Sequence, residues 1–145
     1  MKITIQTPEQ GQEDEIIIRC HHLDDRLMNL IFRLKSDTQK LTAYRDQEIT
    51  VLRPGEVFYF ESVDNKVFAY CEKEVYEIRR KLYELESDLT DMDFLRISKS
   101  VIVNVAKIAH LSPAFNGRLE AKLKNGEKII ISRQYVPDLK KNLGI

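Results

Sequence analysis

The sequence predicts an α+β fold, mainly β, built from short antiparallel strands with few helices and fronted by a small strand–strand–helix extension. Three observations carry this. From residue 40 onward, apolar and polar residues alternate with the period of two that puts one strand face inside. Helical spacing is confined to residues 21–36, 79–89 and the C-terminal stretch. Turn signals at Asp46-Gln47, Pro54-Gly55, Val63-Asp64-Asn65, Asn116-Gly117 and Asn125-Gly126 cut the β part into short pieces. At 145 residues and 43% hydrophobic content the chain supports one domain with a small appendage.

Along the chain, "MKITIQT" alternates and is predicted to be a strand, "PEQGQED" breaks it, and "EIIIRC" is a second, buried strand. A helix comes next in "HHLDDRLMNLIFRLKS", with Leu23, Leu27, Leu30, Ile31 and Leu34 on one stripe and His22 or Asp24 as its cap. Such a unit is too small to stand alone and must pack on the remainder of the chain. We therefore divide the chain into residues 1–42, the extension, and residues 43–145, the main domain. In the latter, "KLTAYR" and "EITVLR" are strands around Asp46-Gln47, "EVFYFES" and "KVFAYCE" form a hairpin, and "EVYEI" is a further strand. "RRKLYELESDL" is a helix with Leu82, Leu85 and Leu89 inward. "FLRIS" is a strand, and "SVIVNV" is compact and apolar, fitting one turn of helix. "KIAHLSP", "RLEAKLK" and "EKIIIS" are strands, the last two a hairpin with Leu119, Ala121 and Leu123 on one face. A terminal helix ends the chain, its start limited by Pro137.

Charge narrows the function. The net charge is +0, yet residues 94–145 hold ten Lys/Arg against three Asp/Glu, and residues 1–93 hold thirteen against twenty. A basic third points to an anionic partner unless the acidic part faces it. No apolar run approaches the ~20 residues that cross a bilayer, and no signal peptide is expected, so we place the protein in the cytoplasm. There Cys20 and Cys71 remain thiols, read as small buried hydrophobes.

Catalytic and metal chemistry find little support. "CHHLDD" lacks a second Cys/His group at zinc spacing. Glu84, Glu86, Asp88, Asp91 and Asp93 fit the solvated side of a helix and its exit. Nucleophile-elbow, phosphate-loop, dinucleotide and zinc-protease motifs are not found. Neither an enzyme, a cofactor nor a metal is expected.

Cations instead fall at strand ends and turns. Arg96 and Lys99 end "FLRIS", Arg133 comes directly after "EKIIIS", and Lys66 stands at the mouth of a hairpin beside Asn65. Gathered on one rim they suit DNA. Lys and Arg neutralise phosphates, Arg reads guanine by a bidentate hydrogen bond, and Asn reads adenine.

Residues from about 43 to 145 resemble the LytTR family of bacterial DNA-binding domains. "FLRISKSVIVN" is similar to that family's F-x-R-[IV]-H-[RK]-S-x-[IL]-V-N. "VFYFESVDNKVFAY" resembles its strand, Glu-Ala-x-Gly-Asn hairpin and strand, and "NGEKIIISRQYVPDLKK" its closing hairpin, Ser-Arg-Arg-Tyr and terminal helix. The resemblance implies short antiparallel sheets packed side by side, and loops that enter successive major grooves and bend the duplex, two copies to a pair of direct repeats. Carried over by motif position, Lys99, Arg133 and the Asn65–Lys66 turn read the groove. Arg96, Ser100 and Ser132 support the loops or touch phosphate, and Asn104 holds a turn. Ser98 stands where the family often has His, Gln134 where it often has Arg, and Asp64-Asn65-Lys66 replaces Gly-Asn-aromatic.

Family members often carry a phosphorylated receiver domain, and 42 residues are too few for one. The front resembles that of stand-alone LytTR regulators, some of them restrained by a small membrane protein. Residues 1–42 are thus expected to serve as a dimer contact or as a docking surface for such a partner, or else simply to cover the β part. The competing function is a protein-interaction module that antagonises another regulator without touching DNA.

Overall fold

The structure, a computed structural model, describes residues 1–145, residues 36–38 by their backbone alone. Ten strands and three helices run in order: α1 (Asp25–Thr38), β1 (Leu41–Arg45), β2 (Glu48–Leu52), β3 (Val57–Val63), β4 (Lys66–Cys71), β5 (Val75–Ile78), α2 (Leu82–Asp88), β6 (Phe94–Arg96), β7 (Val101–Asn104), β8 (Ile108–Pro113), β9 (Leu119–Leu123), β10 (Lys128–Ile131) and α3 (Val136–Leu143). They form a seven-stranded sheet, ordered β2-β1-β5-β4-β3-β7-β6, and a three-stranded sheet, β10-β9-β8. Each ladder is antiparallel. The mainly-β architecture read from the sequence is the one observed.

β3 is the hinge of the packing, buried on both faces over Val57–Phe60. The register of β3 against β4 shifts between Val57 and Tyr59. Such a bulge lets neighbouring residues face one side. Phe58 and Tyr59 therefore both enter the core shared with the small sheet, where Ile97, Val103, Ala121, Leu123, Ile131 and Leu139 lie. Val57 and Phe60 enter the other core, beneath α2, whose Leu82, Leu85 and Leu89 are buried as their spacing predicts. Each fully buried side chain of this size stabilises the fold by roughly 1.5–3 kcal/mol.

Two tyrosines tie the sheets. Tyr59 and Tyr70 stack with centroids 4.4 Å apart. Tyr59 Oη donates to Glu127 Oε1 at 2.5 Å, and Tyr70 Oη to Glu61 Oε1 at 3.3 Å. Both phenols are pushed above their ordinary range, by burial first and then by those carboxylates.

The front departs from expectation. Its helix forms and is capped by Asp24, whose Oδ1 accepts the Leu27 N–H at 2.9 Å. The two strands expected before it do not form. Residues 1–24 join neither sheet and are exposed apart from a half-buried Ile18, although Gln12 N–H closes a turn on the Glu9 carbonyl at 3.1 Å. The physical reason is size: a lone two-stranded ribbon covers too little apolar surface to hold itself together in water. Cys20 is consequently exposed rather than buried, while Cys71 is half-buried and its thiol is pushed up to about 11, chiefly by burial. "SVIVNV" also differs from expectation. It is strand over Val101–Asn104, pairing between β3 and β6, and only then a single 3-10 turn, Val105–Lys107.

Candidate nucleic-acid interface

The first of the expected loops is the β3–β4 hairpin. Val63 pairs with Lys66 across it, leaving Asp64 (φ 50°) and Asn65 (φ 65°) as a two-residue turn. Both must be left-handed, which Asp and Asn tolerate best after glycine. Asn65 and Lys66 are exposed at its tip.

The second loop joins β6 to β7. Ile97, fully buried, anchors it, and the Ile97 N–H donates to the Val101 carbonyl at 3.0 Å. Ser100 N–H donates to Ser98 Oγ at 3.2 Å, so the residue that departs from the family's His shapes the turn itself. Lys99 projects from this turn and is exposed, while Ser100 is half-buried. Asn104 closes the β7 end. Its Nδ2 donates to the Val57 carbonyl at 2.9 Å and its Oδ1 accepts the Ala106 N–H at 3.1 Å. That is the turn-holding role expected of it.

The third loop, Ser132–Tyr135, leads from β10 into α3. Two backbone bonds stitch the three loops into one row. Ser62 N–H, at the end of β3, donates to the Ser100 carbonyl at 2.8 Å, and Ser132 N–H donates to the Ile97 carbonyl at 2.8 Å. The hairpin, the Lys99 turn and the Arg133 turn are thus neighbours in that order, although they lie far apart in the chain.

A fourth loop, missed by sequence reasoning, extends the row. The 115–118 turn is closed by the Ala114 N–H donating to the Arg118 carbonyl at 2.9 Å. It packs on Arg133: a β-carbon on Gly117, whose φ is +74°, would stand 3.2 Å from Arg133 Cδ. Arg118, Ile130, Ser132, Arg133 and Gln134 line an open hollow of about 530 Å³. Phe115 on the same turn is 88% exposed. The Asn116-Gly117 signal locates this turn. In sequence, however, Arg118 is one outward residue of a hairpin strand, and no local pattern marks Phe115.

Electrostatically the row is open. Lys66, Lys99, Arg118 and Arg133 are exposed or line that hollow, and among the described residues none of them forms an ion pair. Glu127, one of the few acids of the basic third, is occupied by Tyr59. Asp64 is the one carboxylate within the hairpin turn. Arg96 is placed differently. It pairs with Ile102 on the α2 side of the sheet, and its Nε meets Glu86 Oε2 at 3.0 Å with the side chain 22% exposed. It braces the strand that delivers Lys99 rather than standing in the row.

Among the described residues, no group of three or more His, Cys, Asp or Glu is arranged to hold a metal ion, and no helix is long and apolar enough to cross a membrane. What the row offers is anion contact through unpaired cations, flanked by Asn and Ser hydrogen-bonding groups.

Residues 47–144 match the family model described as the LytTr DNA-binding domain. The chain belongs to the LytTR family. Its LytTR fold is matched by a solved structure, the LytTr DNA-binding domain of a putative methyl-accepting/DNA response regulator from Bacillus cereus. That match has a TM-score of 0.70 and 26% identity, and covers 74% of this chain and 99% of that one. Uncharacterised HTH-type transcriptional regulators of Staphylococcus aureus strains MSSA476 and MW2 are each 29% identical over 147 residues, covering 100% of this chain and 99% of theirs. The similarity to these relatives therefore runs through the front as well as the LytTR part.

Proposed function

We propose that the protein is a cytoplasmic, sequence-specific transcriptional regulator that reads the major groove of double-stranded DNA through this row of loops. The observation that carries the reading is that Lys66, Lys99, Arg118 and Arg133, distant in sequence, stand unpaired on loops held against one another. Phosphate contacts by Lys and Arg set the register, while Asn65, Lys99 and Arg133 address base edges. Ser100 and Ser132, half-buried beside them, hold the turns and offer hydroxyls to the backbone, and Arg96 acts as a support. Two copies engage a pair of direct repeats as a homodimer, at least on DNA. Residues 1–42 supply the contact between copies or a docking surface for a small membrane-protein regulator.

Titration of a random duplex at rising salt tests DNA binding itself. Affinity falls steeply if phosphates are neutralised. A protein that instead antagonises another regulator shows no such slope. On a selected site, Arg133→Ala costs about 1–3 kcal/mol and relaxes one base position. Equal losses on selected and random duplex would remove Arg133 from the reading residues.

A further inference from the structure

The exposed apolar front and the edge of the large sheet fit each other. β2 is the outermost strand, paired only with β1, so one side of its backbone is open. An open edge is a template for another strand, and proteins guard it with lysine, proline or a bulge. β2 (EITVL) carries none of these, and its register against β1 is unbroken. Ile49 and Val51 lie on one face of it, 68% and 62% exposed. Residues 2–6 have the alternation of a strand and no sheet to join, with Ile3 and Ile5 85% and 93% exposed.

We infer that residues 2–6 of one copy add as a strand to the β2 edge of a second copy, each copy lending its segment to the other. This inference rests on the two-copy reading above and names the surfaces that make it. Laid alongside in the same direction, Lys2-Ile3-Thr4-Ile5 matches Glu48-Ile49-Thr50-Val51 residue for residue. Ile3 meets Ile49, Thr4 meets Thr50 and Ile5 meets Val51, the apolar and Thr–Thr neighbours that stabilise paired strands. The Lys2 ammonium comes beside the Glu48 carboxylate, which has no ion-pair partner among the described residues. Backbone hydrogen bonds supply affinity and the alternating side chains supply register, as in other strand additions. The exchange is self-complementary and closes on two copies.

The area is of the right order. Setting Ile3 and Ile5 beside Ile49 and Val51 removes at most roughly 60–120 Å² for each side chain, by the usual transfer coefficient. That is several hundred Å² per copy before the added backbone, against about 800 Å² per partner in a stable complex.

Sedimentation velocity on the full chain tests this with two variants, Ile3→Lys/Ile5→Lys and Ile49→Lys/Val51→Lys. The wild type sediments as a dimer. Each variant alone is monomeric at concentrations where the wild type is not, a weakening of tenfold or more. An equimolar mixture of the two regains a dimer weaker than the wild type, because one of its two strand seats is intact. If the edge variant fails to fold, Ile49→Thr/Val51→Thr keeps strand-forming residues and takes its place. A monomeric wild type, a variant that dimerises as the wild type does, or a mixture that stays monomeric would each overturn the inference. Survival of dimer in the front variant alone would point instead to β2 edges meeting each other. Salt-dependent binding to random duplex, measured in parallel, separates this outcome from failure of the DNA reading. None of the substituted positions lies on the loop row, so that binding persists whether or not the strand exchange exists.

Discussion

Asn104 shows how one buried amide holds a turn, here at the end of β7 away from Lys99. It is the one buried polar residue among the described residues, and it spends both ends of its side chain on backbone groups. Asn104→Leu leaves the Val57 carbonyl without its donor, a loss of about 1–3 kcal/mol measurable by urea unfolding. Arg118 makes a different kind of prediction. If it touches phosphate alone, Arg118→Ala weakens selected and random duplexes alike and lowers the slope of log affinity against log salt by about 1. Much of this is legible residue by residue. The "VIVN" ending announces a turn-holding Asn, and motif positions locate Lys99, Arg133 and the Asn65–Lys66 turn. Arg118 is not legible in this way, because its place beside Arg133 comes from Gly117 lying against that side chain, a contact between segments that no local pattern encodes.

At the scale of elements, periodicity succeeds where the burying partner lies nearby and fails where it does not. α2 shows Leu82, Leu85 and Leu89 on one stripe because a sheet lies beneath it. The β9–β10 hairpin, with Asn125-Gly126, forms as its sequence predicts. The two front segments, one alternating and one a continuous apolar run, have no covering surface within the chain, and they remain outside both sheets. "SVIVNV" misleads because a short apolar run suits a strand buried on both faces as well as it suits a helical turn. The loop turns carry their own prediction. Gly117→Ala forces a β-carbon into a left-handed position and against Arg133, so it costs about 1 kcal/mol of stability. It also weakens DNA binding by displacing the Arg133 side chain, whereas Gly126→Ala, with open space around it, strains the backbone without that loss of binding. Parallel melts and duplex titrations of the two variants separate the effects.

For the whole molecule, the Tyr59–Glu127 bond spans the two sheets and makes their association sensitive to alkali. The Tyr59 phenol is pushed up in the folded protein, first by burial and then by Glu127. A raised folded value means that its contribution is complete below about pH 10, the unfolded tyrosine range, and is lost as pH climbs beyond it. Stability should therefore fall above that pH, and Tyr59→Phe should flatten the fall in unfolding midpoints measured from about pH 8 to about pH 11. What no stretch of sequence could disclose is how the pieces converge. The order of the loops depends on Ser62 meeting Ser100 and Ser132 meeting Ile97. Those two bonds also have a bearing on the nucleic acid. On the proposed reading, prongs clasped to one another do not spread to suit a straight cylinder, and the cylinder is expected to yield to them. The energy of that yielding depends on base steps which no side chain reaches, and soft pyrimidine–purine steps between the prongs should be favoured as strongly as some bases in direct contact.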